Sequence, residues 1–162
     1  DSFRPIQEEA IDCILEQKDV LTILPTGSGK SLIFQLPTLL MDGVTVVISP
    51  LIALMQDQII NLSNNGISAR MISSQNSNEE NHESLELLQQ NAIKFLYIAP
   101  ERFSNEVFKS ILKKVNINFF VIDEAHCVSE WGHEFRDDYR KLSSIKDDFP
   151  YTPIAAFTAT AT

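Results

Sequence analysis

Two short stretches carry side chains whose types and spacing could do chemistry together. The first, LPTGSGKS at residues 24–31, places two glycines, a lysine and a serine between an apolar run and a helical pattern. Gly27 and Gly29 let the backbone bend so that its N–H groups point inward at phosphate oxygens, and the positive end of the following helix adds to that field. Lys30 would reach the β- and γ-phosphates, and the Ser31 hydroxyl would ligate Mg²⁺. This pattern predicts a nucleoside triphosphate site.

The first stretch departs from the strict phosphate-loop form G-x-x-x-x-G-K-[ST], because Leu24 stands at the first glycine position. The shorter core T-G-x-G-K-[ST] is intact, and sequences of average composition would produce it by chance only about twice per million positions. The alternative is a glycine-rich turn from strand to helix whose lysine only faces solvent. The apolar run before the loop and the helical pattern after it favour the nucleotide site.

The second stretch, DEAHCVSEWGHEFRDDY at residues 123–139, follows the apolar run NFFVI. Asp123 would hold Mg²⁺ across the site from Ser31, directly or through water, and Glu124 would orient or deprotonate the water that attacks the γ-phosphate. Adjacent side chains leave a strand end in different directions, so one pair can divide these roles. The alternative is an acidic helix N-terminus, which the helix dipole favours. Beside a lysine loop, the acidic pair indicates hydrolysis rather than binding alone.

Other side chains of the second stretch are ambiguous from their pattern. Cys127 with His126 or His133 could bind a metal ion, but a spaced ligand set is missing, so we expect no zinc site. Trp131 and Phe135, at i and i+4, would by themselves indicate the apolar face of a core helix. The glycine between them and the dense charge around them make a buried helix less favourable, so a core helix and an exposed platform for a flat ligand both stay open at this point.

Composition narrows the class of protein. A chain of 162 residues that is 44% hydrophobic suits one compact domain. The net charge of −9 argues against a general polyanion-binding surface, although local contacts with nucleic acid stay compatible with it. The two cysteines form no C-x-x-C pair, which predicts a reducing, intracellular compartment. No apolar run is long enough to span a bilayer, and the missing initiator Met predicts a fragment of a longer protein.

The elements that must position the two stretches alternate along the chain. Strands are predicted for DVLTIL (as a buried strand), VTVVIS, ISARMIS, KFLYIA, NFFVIDE and PIAAFTAT. Helices are predicted for PIQEEAIDCILEQ, GKSLIFQLPTLLM, LIALMQDQIINL and the second half of SQNSNEENHESLELLQQN. Strands separated by helices predict an α/β fold with right-handed crossovers and a mainly parallel, twisted sheet covered on both faces. Ligands of such sheets bind at the carboxyl ends of the strands, where both stretches fall.

Taken together, these motifs resemble those of the first RecA-like motor domain of superfamily-two helicases, and in particular of the RecQ family of DNA helicases. FRPIQEEAI is similar to motif 0, LPTGSGKS to motif I, SPLIALMQDQ to motif Ia, YIAPERF to motif Ib and DEAH to motif II, and FTATAT contains motif III. AHCVSEWGHEFRDDY resembles the aromatic-rich loop that joins motif II to single-stranded DNA in RecQ enzymes, and this loop separates the family from RNA helicases. The resemblance implies a RecA-like P-loop NTPase fold and a single N-terminal ATP-binding domain over residues 1–162.

The resemblance also implies ATP and Mg²⁺ as cofactors and assigns roles to individual residues. Glu124, Lys30 and Asp123 would be catalytic, with Ser31 and Asp123 as ligands of Mg²⁺. Gln7 would read the adenine edge with Arg4 nearby. The ATP phosphates would be bound by motif I, which comprises Pro25, Thr26, Gly27, Ser28, Gly29, Lys30 and Ser31. The residues that couple hydrolysis to domain movement would be His126, Thr158 and Thr160.

For nucleic acid, the resemblance assigns two groups of contacts. The working residues of the aromatic-rich loop would be Trp131, His133, Phe135 and Arg136. Aromatic faces stack on bases with about 1–3 kcal/mol each, and an arginine adds cation–π and phosphate contacts. Ser49 and Arg102 would lie near DNA phosphates, a kind of contact that carries no sequence information.

Two positions depart from the RecQ pattern. The family usually has Gly where Ile6 stands, which should be harmless in a helix, and Pro where Asp137 stands, which adds negative charge beside the expected DNA path.

The resemblance implies a 3′-to-5′ motor on single-stranded and partially duplex DNA that needs a second RecA-like domain of the same chain. A DNA-associated location follows, nuclear in a eukaryote and cytoplasmic in a bacterium, and the isolated domain should unwind nothing. Two rival functions are an RNA helicase of the DEAH or DEAD type, which would not need Trp131, and a nucleotide-gated module that binds nucleic acid without turnover.

Overall fold

The structure of the protein, a computed structural model, describes residues 5–24, 29–123 and 143–159. Its strands are β1 (Val20–Leu24), β2 (Val44–Ile48), β3 (Ala69–Ile72), β4 (Phe95–Ile98), β5 (Ile117–Ile122) and β6 (Ile154–Ala159). Its helices are α1 (Pro5–Leu15), α2 (Lys30–Leu39), α3 (Ile52–Asn64), α4 (Asn78–Gln89) and α5 (Glu106–Leu112), with a 3-10 turn at Pro100–Ser104. Residues 143–148 are also helical.

The six strands form one sheet in the order β1-β6-β5-β2-β4-β3, and every neighbouring pair is parallel. Parallel neighbours require a crossover between them, so the chain must return along a face of the sheet after each strand. Buried side chains form two apolar clusters, one on each face. The first includes Ile14 of α1, Phe34 of α2 and Met55 of α3, and the second includes Leu88 of α4 and Phe108 of α5. The predicted parallel sheet with helices on both faces is confirmed.

Strand β1 corrects one expectation, because the run DVLTIL was predicted to be a buried strand. β1 lies at one edge of the sheet, where Leu21 is 62% and Ile23 is 51% exposed, while Thr22 and Leu24 are buried. An apolar run by itself does not distinguish a strand covered on both faces from one covered on a single face. The prediction was therefore wrong for the face that carries Leu21 and Ile23.

Helix α4 begins earlier than the second half of the polar stretch in which it was predicted. Ser77 is its N-cap: the Ser77 Oγ accepts the Glu80 N–H at 3.1 Å, and the Glu80 carboxylate accepts the Ser77 N–H at 2.9 Å. The Ser77 backbone N–H, followed by the Ser77 side chain, lowers the pKa of the Glu80 carboxyl group. This capping box satisfies two N–H groups of the first turn and fixes the helix start at Asn78.

None of the helices in the described part of the chain has the length and apolar character that a bilayer crossing requires.

At the amino edge of the sheet, Gly43 lets the turn before β2 approach the start of β5. The Gly43 N–H donates to Asn118 Oδ1 at 2.8 Å, and Asn118 Nδ2 donates to the Gly43 carbonyl at 2.9 Å. A Cβ on Gly43 would lie 2.3 Å from the Asn116 carbonyl oxygen, far inside van der Waals contact. This position therefore has no room for any side chain.

We expect Gly43→Ala to lower the free energy of unfolding by about 2 kcal/mol or more, because the clash is with backbone that cannot move alone. The measurement is chemical denaturation. Gly66→Ala is the control, since a Cβ there meets nothing within 4 Å although φ is +76°. It should cost only the left-handed strain, about 1 kcal/mol. Equal losses in the two variants would contradict the packing argument.

Candidate active site

Lys30 and Asp123 bring the two reactive stretches of the sequence together. Lys30 is the first residue of α2, and Asp123 immediately follows β5. The Lys30 Nζ lies 2.8 Å from Asp123 Oδ1, and the side chains are 23% and 3% exposed, respectively. The predicted meeting of the lysine loop and the acidic pair at one carboxyl edge of the sheet is thus present at these two residues.

The backbone fixes the position of the Asp123 carboxylate. The Asp123 N–H donates to the Ile48 carbonyl at 2.9 Å, which extends the pairing of β5 with β2 by one residue. The Ser49 N–H donates to the Ile98 carbonyl at 3.2 Å in the same way. Because these bonds continue the sheet beyond its strand ends, Asp123 and Ser49 stand on rigid backbone.

Gly29 forms the turn that aims Lys30. It is the N-cap of α2 and has φ +71°, in the left-handed region that glycine adopts without strain. A Cβ at this position would lie 3.1 Å from Gln7 Nε2 of α1, a tight contact that the Gln7 side chain would have to relieve. Gln7 is 8% exposed. The structure therefore brings the predicted adenine-reading residue against the end of the phosphate loop.

Two further predicted residues lie beside this pair. Ser31 follows Lys30 in the first turn of α2 and is half-buried. Thr158 is half-buried on β6, which runs between β1 and β5, and it pairs in register with Ile23. The strand that carries Thr158 therefore separates the strand that enters the lysine loop from the strand that ends at the carboxylate.

The donor set fits a Mg²⁺–triphosphate complex. Asp123 offers a carboxylate held at a strand end, and Mg²⁺ prefers a few such oxygen ligands together with phosphate oxygens. Lys30 supplies the positive charge that phosphates need, at the N-terminus of a helix. Among the described residues, no group of three or more His, Cys, Asp and Glu side chains could form an all-protein metal cage. Ser31 and Asp123 stay the predicted ligands.

Ser49 and Arg102, the predicted DNA-phosphate contacts, lie farther along the same edge, after β2 and β4. Ser49 is 1% exposed, and its Oγ accepts the Leu51 N–H at 3.1 Å. Arg102 is half-buried in the 3-10 turn. It lines a cavity of about 500 Å³ with Ser73, Ser74, Ala99, Glu101, Ser104 and Asn105. Sequence reasoning missed the serines of this cavity, although the turn SSQNSN after β3 was a signal.

Many predicted site residues lie outside the described residues, and their roles stay predictions. For the nucleotide site and its coupling, these are Arg4, Pro25, Thr26, Gly27, Ser28, Glu124, His126 and Thr160. For the aromatic-rich loop, these are Trp131, His133, Phe135, Arg136 and the departing Asp137.

Comparison with known proteins agrees with this geometry. The chain belongs to the DEAD/DEAH box helicase family, whose model matches residues 4–162. It is 46% identical over 160 residues to the ATP-dependent DNA helicase RecQ of Pasteurella multocida, an alignment that covers 99% of this chain and 25% of that protein. It is 44% identical over 164 residues to the ATP-dependent DNA helicase RecQ of Bacillus subtilis, which covers 100% of this chain and 28% of that protein.

These similarities confirm the predicted resemblance to a RecQ-type first RecA-like domain. The chain spans about a quarter of the length of the two relatives. Its fold is similar to that of the DUF1998 helicase MrfA, whose crystal structure contains DNA and AMPPNP. The TM-score is 0.76 at 20% identity, over 100% of this chain and 24% of that one.

We expect Lys30→Ala to abolish ATP hydrolysis, because the variant loses the cation that faces Asp123 and would face the phosphates. The measurement is steady-state phosphate release by the intact protein. Lys18→Ala is the matched control, since Lys18 forms an exposed ion pair with Glu16 that is 3.0 Å long. Its turnover should equal that of the wild type. Turnover in Lys30→Ala above a few per cent of wild type would contradict the assignment.

Proposed function

We propose that this chain is the ATP-binding motor domain of a DNA helicase, which couples ATP hydrolysis to 3′-to-5′ movement on single-stranded DNA and to duplex unwinding. The observation that carries the proposal is the 2.8 Å contact between Lys30 and Asp123 at the carboxyl edge of a parallel sheet. Membership of the helicase family and the names of the relatives, which are ATP-dependent DNA helicases, support it.

Chemically, Lys30 and Asp123 would exchange partners during the cycle. At rest their opposite charges neutralise each other. The nearly buried carboxylate is therefore not left as an uncompensated charge. Lys30 can exchange the carboxylate for phosphate oxygens, and Asp123 then becomes available as an oxygen ligand of Mg²⁺. The bound ion would supply charge neutralisation at the transferring phosphoryl group. Glu124 would orient the attacking water.

Nucleic acid would bind along the part of the same edge that lies after β2, β3 and β4. Arg102 provides a cation there, and hydroxyl and amide groups of Ser73, Ser74 and Asn105 line the same cavity. Phosphate contacts of this type are local, which reconciles them with a net charge of −9. The aromatic-rich loop after Asp123 would add base stacking through Trp131 and Phe135.

The whole protein would need more than this domain. A second RecA-like domain of the same chain would close over Lys30 and Asp123, and the isolated domain should bind ATP weakly and unwind nothing. The intact protein would act inside the cell on single-stranded and partially duplex DNA. The RNA-helicase alternative is less favoured, since the relatives that match this chain at 44–46% identity are DNA helicases by name.

The proposed function is tested by the ATPase activity of the intact protein with single-stranded DNA, with RNA, or with neither. We expect DNA to raise turnover about tenfold or more, a coupling of about 1.4 kcal/mol, within the usual range for linked sites. RNA of equal length should do much less. Stimulation by RNA over DNA would instead support the RNA-helicase alternative. Equal turnover in all three samples would leave an ATPase that nucleic acid does not stimulate and would contradict the proposed function.

We expect Arg102→Ala to weaken binding of single-stranded DNA equally for all sequences and to reduce the salt dependence by about one phosphate contact. The measurement is fluorescence anisotropy over a series of salt concentrations. Arg70→Ala is the matched control: Arg70 lies on β3 and pairs with Glu83 at 3.4 Å, outside the cavity. An unchanged salt slope in Arg102→Ala, or an equal change in the control, would remove Arg102 from the DNA path.

A further inference from the structure

A buried phenol lies beneath the carboxyl edge, between two helices that serve different parts of the site. Tyr97 of β4 is fully buried, and its hydroxyl donates to Gln58 Oε1 of α3 at 2.9 Å. Burial raises the pKa of the phenol well above its usual value, and the Gln35 side chain of α2 has a smaller effect that lowers it. Burial is the larger effect, so Tyr97 is protonated and donates at any physiological pH.

The register of the sheet places Tyr97 in line with the catalytic carboxylate. Tyr97 pairs with Val47 of β2, and Val47 pairs with Val121 of β5. Side chains two residues apart share one face of a strand, so Asp123 follows Val121 on the face where Tyr97 lies. The charge of Asp123 also raises the pKa of Tyr97, to a smaller degree than burial, in agreement with their place on one face of the sheet.

The two helices near Tyr97, α2 and α3, begin at different functional segments. Helix α2 begins at Lys30, which faces Asp123, and carries Gln35 in its second turn. Helix α3 begins at Ile52, just after the turn in which the Ser49 Oγ accepts the Leu51 N–H, and carries Gln58 in its second turn. Phe34 of α2 packs in the same apolar cluster as Tyr97, so a displacement of α2 would strain the hydrogen bond between Tyr97 and Gln58 of α3.

We propose that Tyr97 is a positioning residue that couples the nucleotide pocket to the DNA-facing turn at Ser49, from its place on the Asp123 face of the sheet and through its hydrogen bond to Gln58 of α3. When Lys30 exchanges Asp123 for phosphate oxygens, the change in the pocket reaches Tyr97 on the same face of the sheet, and the hydroxyl transmits it to α3 through Gln58. This inference rests on the proposed function, because it needs a DNA-binding edge. A packed polar chain with two arrangements is a physical route for such coupling.

The alternative role for Tyr97 is to stabilise the fold alone. A buried hydroxyl that loses its partners costs stability in any protein, so a fall in melting temperature does not distinguish the two roles. Coupling does distinguish them. A purely structural hydroxyl would leave the communication between DNA and nucleotide unchanged in the fraction of molecules that is folded.

The test is Tyr97→Phe in the intact protein, which removes only the hydroxyl. We expect the KM for ATP and the turnover without DNA to stay within about twofold of wild type, while the DNA-stimulated kcat falls about fivefold, the equivalent of one neutral hydrogen bond. The change in DNA affinity caused by a non-hydrolysable ATP analogue should shrink by a similar factor. Tyr151→Phe is the matched control, since Tyr151 is 96% exposed, and it should behave as wild type.

Gln58→Met removes the other partner of this hydrogen bond, a half-buried side chain. It replaces Tyr97→Phe in the test if that variant fails to fold. It should cause the same loss of stimulation, and the double variant should lose no more than either single variant, because both changes break one path. Additive losses would overturn the inference.

The outcomes separate this inference from the proposed function. If DNA does not stimulate the wild-type protein, both the inference and the proposed function are wrong. A wild-type protein that DNA stimulates, together with a Tyr97→Phe variant stimulated to the same degree, would overturn only the inference. In that case any fall in melting temperature would assign the hydroxyl to stability.

Discussion

The ion pair of Lys30 and Asp123 constrains the rest of the molecule. A carboxylate that is only 3% exposed is unfavourable unless a cation stands against it, and here the Nζ lies 2.8 Å away. The cation comes from the start of α2 and the anion from the end of β5, so both must meet at one edge. A parallel sheet provides that arrangement because all its strands end on the same side. The left-handed turn at Gly29 then sets the direction from which the lysine arrives.

The remaining architecture keeps this edge of the sheet rigid. Backbone bonds from Asp123 to Ile48 and from Ser49 to Ile98 extend the sheet past its strands. Below them, side chains on the two faces pack into separate apolar clusters. In the proposed mechanism, function depends on small shifts of helices over a fixed sheet, and the phenol of Tyr97 is hydrogen-bonded to one of those helices, α3, through Gln58.

The sequence predicted what depends on local pattern and spacing. The glycine turn, the lysine and the acidic pair come from chemistry that accepts few residue types, so the meeting of Lys30 with Asp123 was predictable before any coordinates. The exposed face of β1 was not predictable, because Leu21 and Ile23 look the same in a covered and an uncovered strand. Tyr97 was missed because YIA has only the pattern of a buried strand, and its partners come from distant helices. The early start of α4 depended on a capping box whose signal, Ser77 and Glu80, was present but overlooked.

The exposed edge strand affects how strongly separate molecules associate. β1, with the sequence VLTIL, contains no charge and no proline, the devices that usually prevent strands of separate molecules from pairing. Mutual repulsion from a net charge of −9 acts at long range and weakens as salt screens it. The solubility of the isolated domain should therefore depend on edge strand β1, and this dependence should become stronger as ionic strength increases.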